Sequence, residues 1–96
     1  MAIRSFSDRV TEEFYLTGLL KAKVGWAAVR SIARRKLDMV NYATELKDLK
    51  SPPGSRLEAL KGDLRGFHSI RINSQWRVVF RWATAGAEDV TITDYH

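Results

Sequence analysis

Phe67-His68-Ser69-Ile70-Arg71-Ile72 and Trp76-Arg77-Val78-Val79-Phe80-Arg81-Trp82 decide the fold. Both runs alternate side-chain character with a period of two, the period of a β-strand. Asn73-Ser74-Gln75 joins them as a compact hairpin connection. In the second run Trp76, Val78, Phe80 and Trp82 share one face, and Arg77, Val79 and Arg81 share the other. In the first, His68, Ile70 and Ile72 look inward while Phe67, Ser69 and Arg71 look outward. Val90 to Tyr95 continues the pattern, with Val90 and Ile92 inward and Thr91, Thr93 and Tyr95 outward. Ala83 to Asp89, with Gly86, reads as a longer connection. Arg56 to Leu60 is a short candidate strand upstream. These strands form an antiparallel meander.

Upstream, the period changes. Ser51-Pro52-Pro53-Gly54 ends helical structure, since Pro restricts the residue before it and Gly permits a turn. Thr44 to Leu49 allows one helical turn. Trp26, Val29, Ala33, Leu37 and Val40 recur at spacings of three and four, which predicts a helix over about Trp26 to Tyr42. Arg30, Arg34 and Asp38 lie on its opposite face, with Arg34 and Asp38 spaced for an i,i+4 pair. A first helix starts near Ser7 or Asp8, either of which can cap it. Val10, Phe14 and Leu16 give it an apolar stripe, and Gly18 weakens its end. Ala2 to Phe6 reads as a short strand. The fold class is α+β: a short N-terminal strand, two helices, then the sheet.

The chain has 96 residues, enough for one domain spanning 1–96 with one core. It has no Cys, which excludes disulfides, thiolate metal sites and a Cys nucleophile. His68 and His96 are its two His residues, and no carboxylates stand at metal-ligand spacing from them. No Gly-rich phosphate loop is present. No apolar run approaches the roughly 20 residues of a membrane span, and no signal peptide is apparent, so a cytoplasmic protein is expected.

Sixteen Lys and Arg stand against 11 Asp and Glu, a net charge of +5 that suits a polyanionic partner. Arg56 to Arg81 alone holds six basic and two acidic residues, a local +4. One sheet face should carry Arg71, Arg77, Arg81, Phe67 and Tyr95, a basic surface with aromatics between the charges, as a nucleic acid strand requires. Arg34-Arg35-Lys36 reads as a solvated helix face. Glu58 and Lys61 read as a surface charge pair. Asp94-Tyr95-His96 places two proton-transfer groups directly after a strand.

Together these residues resemble a known family. Leu49-Lys50-Ser51-Pro52-Pro53-Gly54-Ser55-Arg56-Leu57-Glu58-Ala59-Leu60-Lys61-Gly62-Asp63 runs into Gly66-Phe67-His68-Ser69-Ile70-Arg71-Ile72, then Gln75-Trp76-Arg77-Val78-Val79-Phe80 and Asp94-Tyr95-His96. The combination is similar to the HigB-type toxins of the RelE/ParE toxin–antitoxin superfamily, over nearly the whole chain. The resemblance implies a microbial-ribonuclease-like α+β fold. It also implies metal-independent, cofactor-free cleavage of mRNA in the ribosomal 30S A site, and neutralisation by a HigA-type helix-turn-helix antitoxin. Lys61, Arg77, Asp94, Tyr95 and His96 match the family's site residues. Glu58 stands where some relatives carry His. Arg56, Arg71, Arg81 and Phe67 are the expected RNA contacts.

A base near the RNA 2′-OH, whether His96, Tyr95 or Glu58, would take its proton. Lys61 and Arg77 would stabilise charge growing on the phosphate. The alternative from another class is a ParE-like, non-catalytic poison of DNA gyrase. A third is a plain RNA-binding module. The acid–base groups favour the nuclease, because a poison has no need of them.

Overall fold

The computed structural model describes residues 2–51 and 53–94. Helix α1 spans Arg9–Thr17. Asp8 caps it by accepting the Thr11 N–H at 2.8 Å, and Gly18, at φ +80°, closes it. Thr11, Phe14 and Tyr15 form its buried face. Leu16, expected on that stripe, is 58% exposed. The i, i+3, i+4 set of 11, 14 and 15 fixes the inner face, and residue 16 lies about 100° away from it.

Helix α2 spans Arg30–Tyr42 and is preceded by a 3₁₀ turn, Ala27–Val29. It starts later than expected, because Ala27–Val29 winds as a 3₁₀ turn, and neither start carries a side-chain cap. Ala33, Leu37 and Val40 are fully buried. The expected Arg34–Asp38 pair does not form. Asp38 accepts the Tyr15 hydroxyl at 2.7 Å, and the Arg34 guanidinium lies 5.8 Å from the Tyr15 ring centre. Burial, then Asp38, pushes the Tyr15 phenol well above its ordinary pKa. Lys36 leaves the solvated face too. It donates to Ser55, which is fully buried, and burial lowers its pKa. Thr44 to Leu49 becomes a 3₁₀ turn over Leu46–Lys50, held by a capping box of Glu45 and Asp48.

Four strands follow: β1 Glu58–Ala59, β2 Phe67–Arg71, β3 Trp76–Ala83 and β4 Gly86–Asp94. They form one antiparallel sheet in that order. The β2–β3 turn is fixed by Asn73, whose side-chain oxygen accepts the N–H groups of Gln75 and Trp76. The β3–β4 connection is shorter than expected, because Ala83 already pairs with Gly86. The residues assigned to a loop instead hold a β-bulge. Val79 faces Thr91 but Arg81 faces Glu88, so β4 carries one extra residue, with Asp89 at φ +53°. The N-terminal strand is reduced to two isolated parallel bridges to β4, Ile3 to Ala87 and Phe6 to Val90. Gly86 admits this segment, since a Cβ there would strike the Ala2 carbonyl.

The inner sheet face places Ile70, Val78, Phe80, Val90 and Ile92 against Phe14, Trp26, Ala33, Leu37 and Val40. Burying each large side chain contributes roughly 1.5–3 kcal/mol. The helices thus cover one face of the sheet and leave the other without a helix over it. No helix among the described residues is long and apolar enough to cross a membrane.

Candidate active site

The outer face is ordered by strand register. Glu58 of β1 faces Ser69 of β2, which faces Val79 of β3, which faces Thr91 of β4. The next row is Arg71, Arg77 and Thr93. Phe67 and Arg81 form a third. This is the face the alternation assigned, and it is less open than a solvated sheet: Val79 and Ser69 are buried.

Arg77 organises it. Its Nη1 and Nη2 donate to Glu58 Oε1 at 3.3 and 3.4 Å, and Nη2 donates to the Arg56 carbonyl at 2.9 Å. The side chain therefore crosses β2 and is only 14% exposed, against 50% for Glu58. Arg56 holds φ at +47°, a left-handed conformation that a bulky side chain rarely adopts, and this presents its carbonyl to Arg77. Glu58 thus pairs with Arg77 and not with Lys61. A half-exposed ion pair contributes at most about 1 kcal/mol. Against it stands Arg71 directly opposite Arg77, a like-charge pair that destabilises a sheet. Two atoms here lack partners among the described residues: Arg77 Nε and Ser69 Oγ. An unpartnered buried donor or acceptor costs about 1–3 kcal/mol. Repulsion and unmet hydrogen bonds at one spot are what an anion would relieve.

Arg81 sits differently. Its Nη2 meets Glu88 Oε1 at 3.4 Å and Asp89 Oδ2 at 3.2 Å, and its guanidinium lies 5.8 Å from the Phe67 ring centre. The bulge aims both carboxylates outward onto this one Arg. Beside this cluster lies a groove of about 430 Å³, lined by Leu64, Phe67, Val79, Asp89, Thr91 and Thr93.

Lys61 is exposed and opens the 3₁₀ turn Gly62–Leu64 between β1 and β2. Asp94 ends β4 opposite Trp76 and accepts from Gln75 Nε2 at 3.0 Å. Tyr95 and His96 lie outside the described residues. Glu58, Arg71 and Arg77 are therefore brought together on one face, with Arg56 contributing its carbonyl. Sequence reasoning missed Ser69 and Leu64. Nothing in a Ser on a strand or a Leu in a short turn signals a site. His68 faces inward, stacks on Phe80 at 6.2 Å, and has an unpartnered Nδ1 among the described residues. No group of three or more metal-ligating side chains is assembled among the described residues.

Two helices on one face of a four-stranded antiparallel sheet place the chain in the class of small RelE-like toxin folds. The YoeB–YefM complex from Staphylococcus aureus matches over 98% of this chain and 94% of that one, at a TM-score of 0.56 and 20% identity. A YoeB/ParE toxin from Agrobacterium tumefaciens matches over the full length of both, at 0.56 and 19%. Within the class, the chain belongs to the HigB-like toxin family, described as the RelE-like toxin of the type II toxin–antitoxin system HigB, which it matches over residues 4–96. It is 36% identical over 77 residues to Toxin HigB-1 of Vibrio cholerae serotype O1, covering 80% of each chain. It is 33% identical over 61 residues to Endoribonuclease HigB of Proteus vulgaris, covering 64% of this chain and 65% of that one.

Proposed function

We propose that this type II toxin is a ribosome-dependent endoribonuclease that cuts mRNA in the A site of the small subunit by attack of the RNA's own 2′-OH. The observation that carries the reading is the Arg71–Arg77 pair on the outer face, with Glu58 beside it. Two guanidinium groups can hold a phosphate, and a carboxylate next to them can take a proton. That the Proteus vulgaris relative is named an endoribonuclease supports the same reading.

The reaction forms a bond from O2′ to phosphorus and breaks the bond from phosphorus to O5′. Glu58, Tyr95 or His96 takes the 2′-OH proton, and another of these groups protonates the leaving O5′. Arg77 and Lys61 stabilise the added negative charge, and Asp94 supports the terminal pair. The products are a 2′,3′-cyclic phosphate and a 5′-hydroxyl. The substrate supplies the nucleophile, so the step needs no metal. Arg56, Arg71, Arg81 and Phe67 line the path of the RNA, and the groove beside Phe67 gives room to a base. A HigA-type helix-turn-helix antitoxin restrains the enzyme in the cytoplasm. One-domain economy, residues 1–96, fits an enzyme whose substrate is bent and positioned by the ribosome.

The test is mapping of mRNA 5′ ends after brief expression without antitoxin. Cuts in frame with codons are expected. Intact transcripts in arrested cells would overturn the reading and point to a gyrase-type poison. DNA cut as readily as RNA would overturn the 2′-OH mechanism.

A further inference from the structure

Arg77 carries N–H donors on three nitrogens. Here Nη1 and Nη2 are committed to Glu58 and to the Arg56 carbonyl, while Nε has no partner among the described residues. The Ser69 hydroxyl has none either, and Ser69 is 0% exposed although its strand position points outward. Register explains both facts. Glu58 faces Ser69 across β1 and β2, so an Arg77 side chain reaching Glu58 from β3 passes over Ser69. Ser69 and Arg77 are diagonal neighbours, about 7–8 Å apart at their Cα atoms and within reach of a long side chain. The other outer-face neighbours of Ser69 are Glu58, directly opposite on β1 and already engaged by Arg77, Val79 and Phe67, which have no polar side-chain atom, and Arg71 and Arg81, which have no acceptor.

We propose that Ser69 is the positioning residue for Arg77: its hydroxyl accepts the Arg77 Nε–H when the guanidinium leaves Glu58 for a phosphate of bound RNA. The proposal rests on the nuclease reading and adds a residue to it. A guanidinium that gives up Glu58 and the Arg56 carbonyl loses both anchors. One bond from Nε to Ser69 Oγ satisfies the two unpartnered atoms together and leaves both Nη groups for a bidentate phosphate contact. The same movement releases the Glu58 carboxylate, which can then accept a proton from the 2′-OH. A single exchange of partners thus prepares the phosphate site and the base. The competing account is that Ser69 is merely small enough to fit under Arg77.

Ser69→Thr and Ser69→Val separate these accounts, because the two side chains have nearly the same shape and differ in the hydroxyl. The first readout is the Arg77 Nε–Hε signal in ¹⁵N-edited spectra, with a non-cleavable 2′-deoxy analogue of mRNA on the purified toxin. The signal should move and its hydrogen exchange should slow in the wild type and in Ser69→Thr, and not in Ser69→Val. A signal that is unmoved in all three, or that moves equally in Ser69→Val, overturns the proposal, whether or not RNA is cleaved.

The second readout is cleavage on programmed ribosomes. Ser69→Val should lower kcat about tenfold with KM nearly unchanged, and Ser69→Thr should stay within about twofold of wild type. In an Arg77→Lys background, which has no Nε, Thr and Val at position 69 should give equal residual rates. Equal losses for Thr and Val with Arg77 intact would overturn the proposal. A wild-type toxin that cleaves no RNA overturns the nuclease reading instead, and the spectral result still decides the role of Ser69.

Discussion

Arg77 and Arg81 lie four residues apart on one strand and point to the same face, yet they are in opposite situations. Arg77 is largely buried, faces another Arg across the sheet, leans on one carboxylate and a carbonyl, and keeps a nitrogen with no partner among the described residues. Arg81 is half exposed, rests on two carboxylates and stacks on an aromatic ring. The difference comes from their neighbours. The β4 bulge brings Glu88 and Asp89 to the same side at Arg81, so its charge is locally offset. Among the described residues Glu58 is the one carboxylate that reaches Arg77, which faces Arg71 across the sheet. Arg81 is met by two carboxylates where it stands, and Arg77 by one.

The sharpest way to break that contrast is to remove each in turn. On the proposed mechanism, Arg77→Ala should lower cleavage by about 10²–10³-fold, since it would delete a donor to the reacting phosphate. Arg81→Ala should lower it by less than about threefold, with the loss shrinking at higher salt. Equal losses in ribosome cleavage assays would erase the distinction. Glu58→Gln comes next. It keeps a hydrogen-bonding group beside Arg77 and removes the proposed base, so a fall of about 10²-fold is expected if Glu58 fills that role, with Glu58→His recovering part of it. Retention of full activity in Glu58→Gln would leave the base role to Tyr95 and His96.

Arg56→Gly tests whether Arg56 serves through its side chain or its carbonyl. Gly adopts positive φ freely, so stability should rise by about 0.5–1 kcal/mol with cleavage within about threefold. A large loss of activity without unfolding would assign the role to the guanidinium. The smallest effect is on the Arg81 side. Phe67→Ala and Arg81→Ala, combined in a double-mutant cycle of thermal unfolding, should show about 0.5–1 kcal/mol of coupling.

The alternation in β2 and β3 was legible because the inner face is packed against helices, and a strand with one buried face cannot hide its period. The bulge was not legible. Asp89 takes a left-handed conformation without being Gly, and a one-residue insertion does not disturb a pattern read locally. The same blindness turned the tight Ala83–Gly86 hairpin into a loop. Leu16 was misassigned since a three-residue stripe underdetermines a helix face until its partner is known. At the site, Arg77 and Glu58 could be nominated, but their pairing spans 19 residues and depends on β1 meeting β2. Alternation puts Ser69 on the outer face, but its residue type gives no sign of a role there. Its interest comes from being buried under a side chain that arrives from the next strand.

The parallel bridges from Ile3 and Phe6 to β4 bear on the order of events during synthesis. Asp8, which caps α1, also accepts the Thr91 hydroxyl at 2.6 Å, a contact across 83 positions. The first helix therefore docks fully only after the last strand has emerged. Contacts of such separation make folding slow and cooperative. The outer face of this toxin is thus complete only once the two ends of the domain have met.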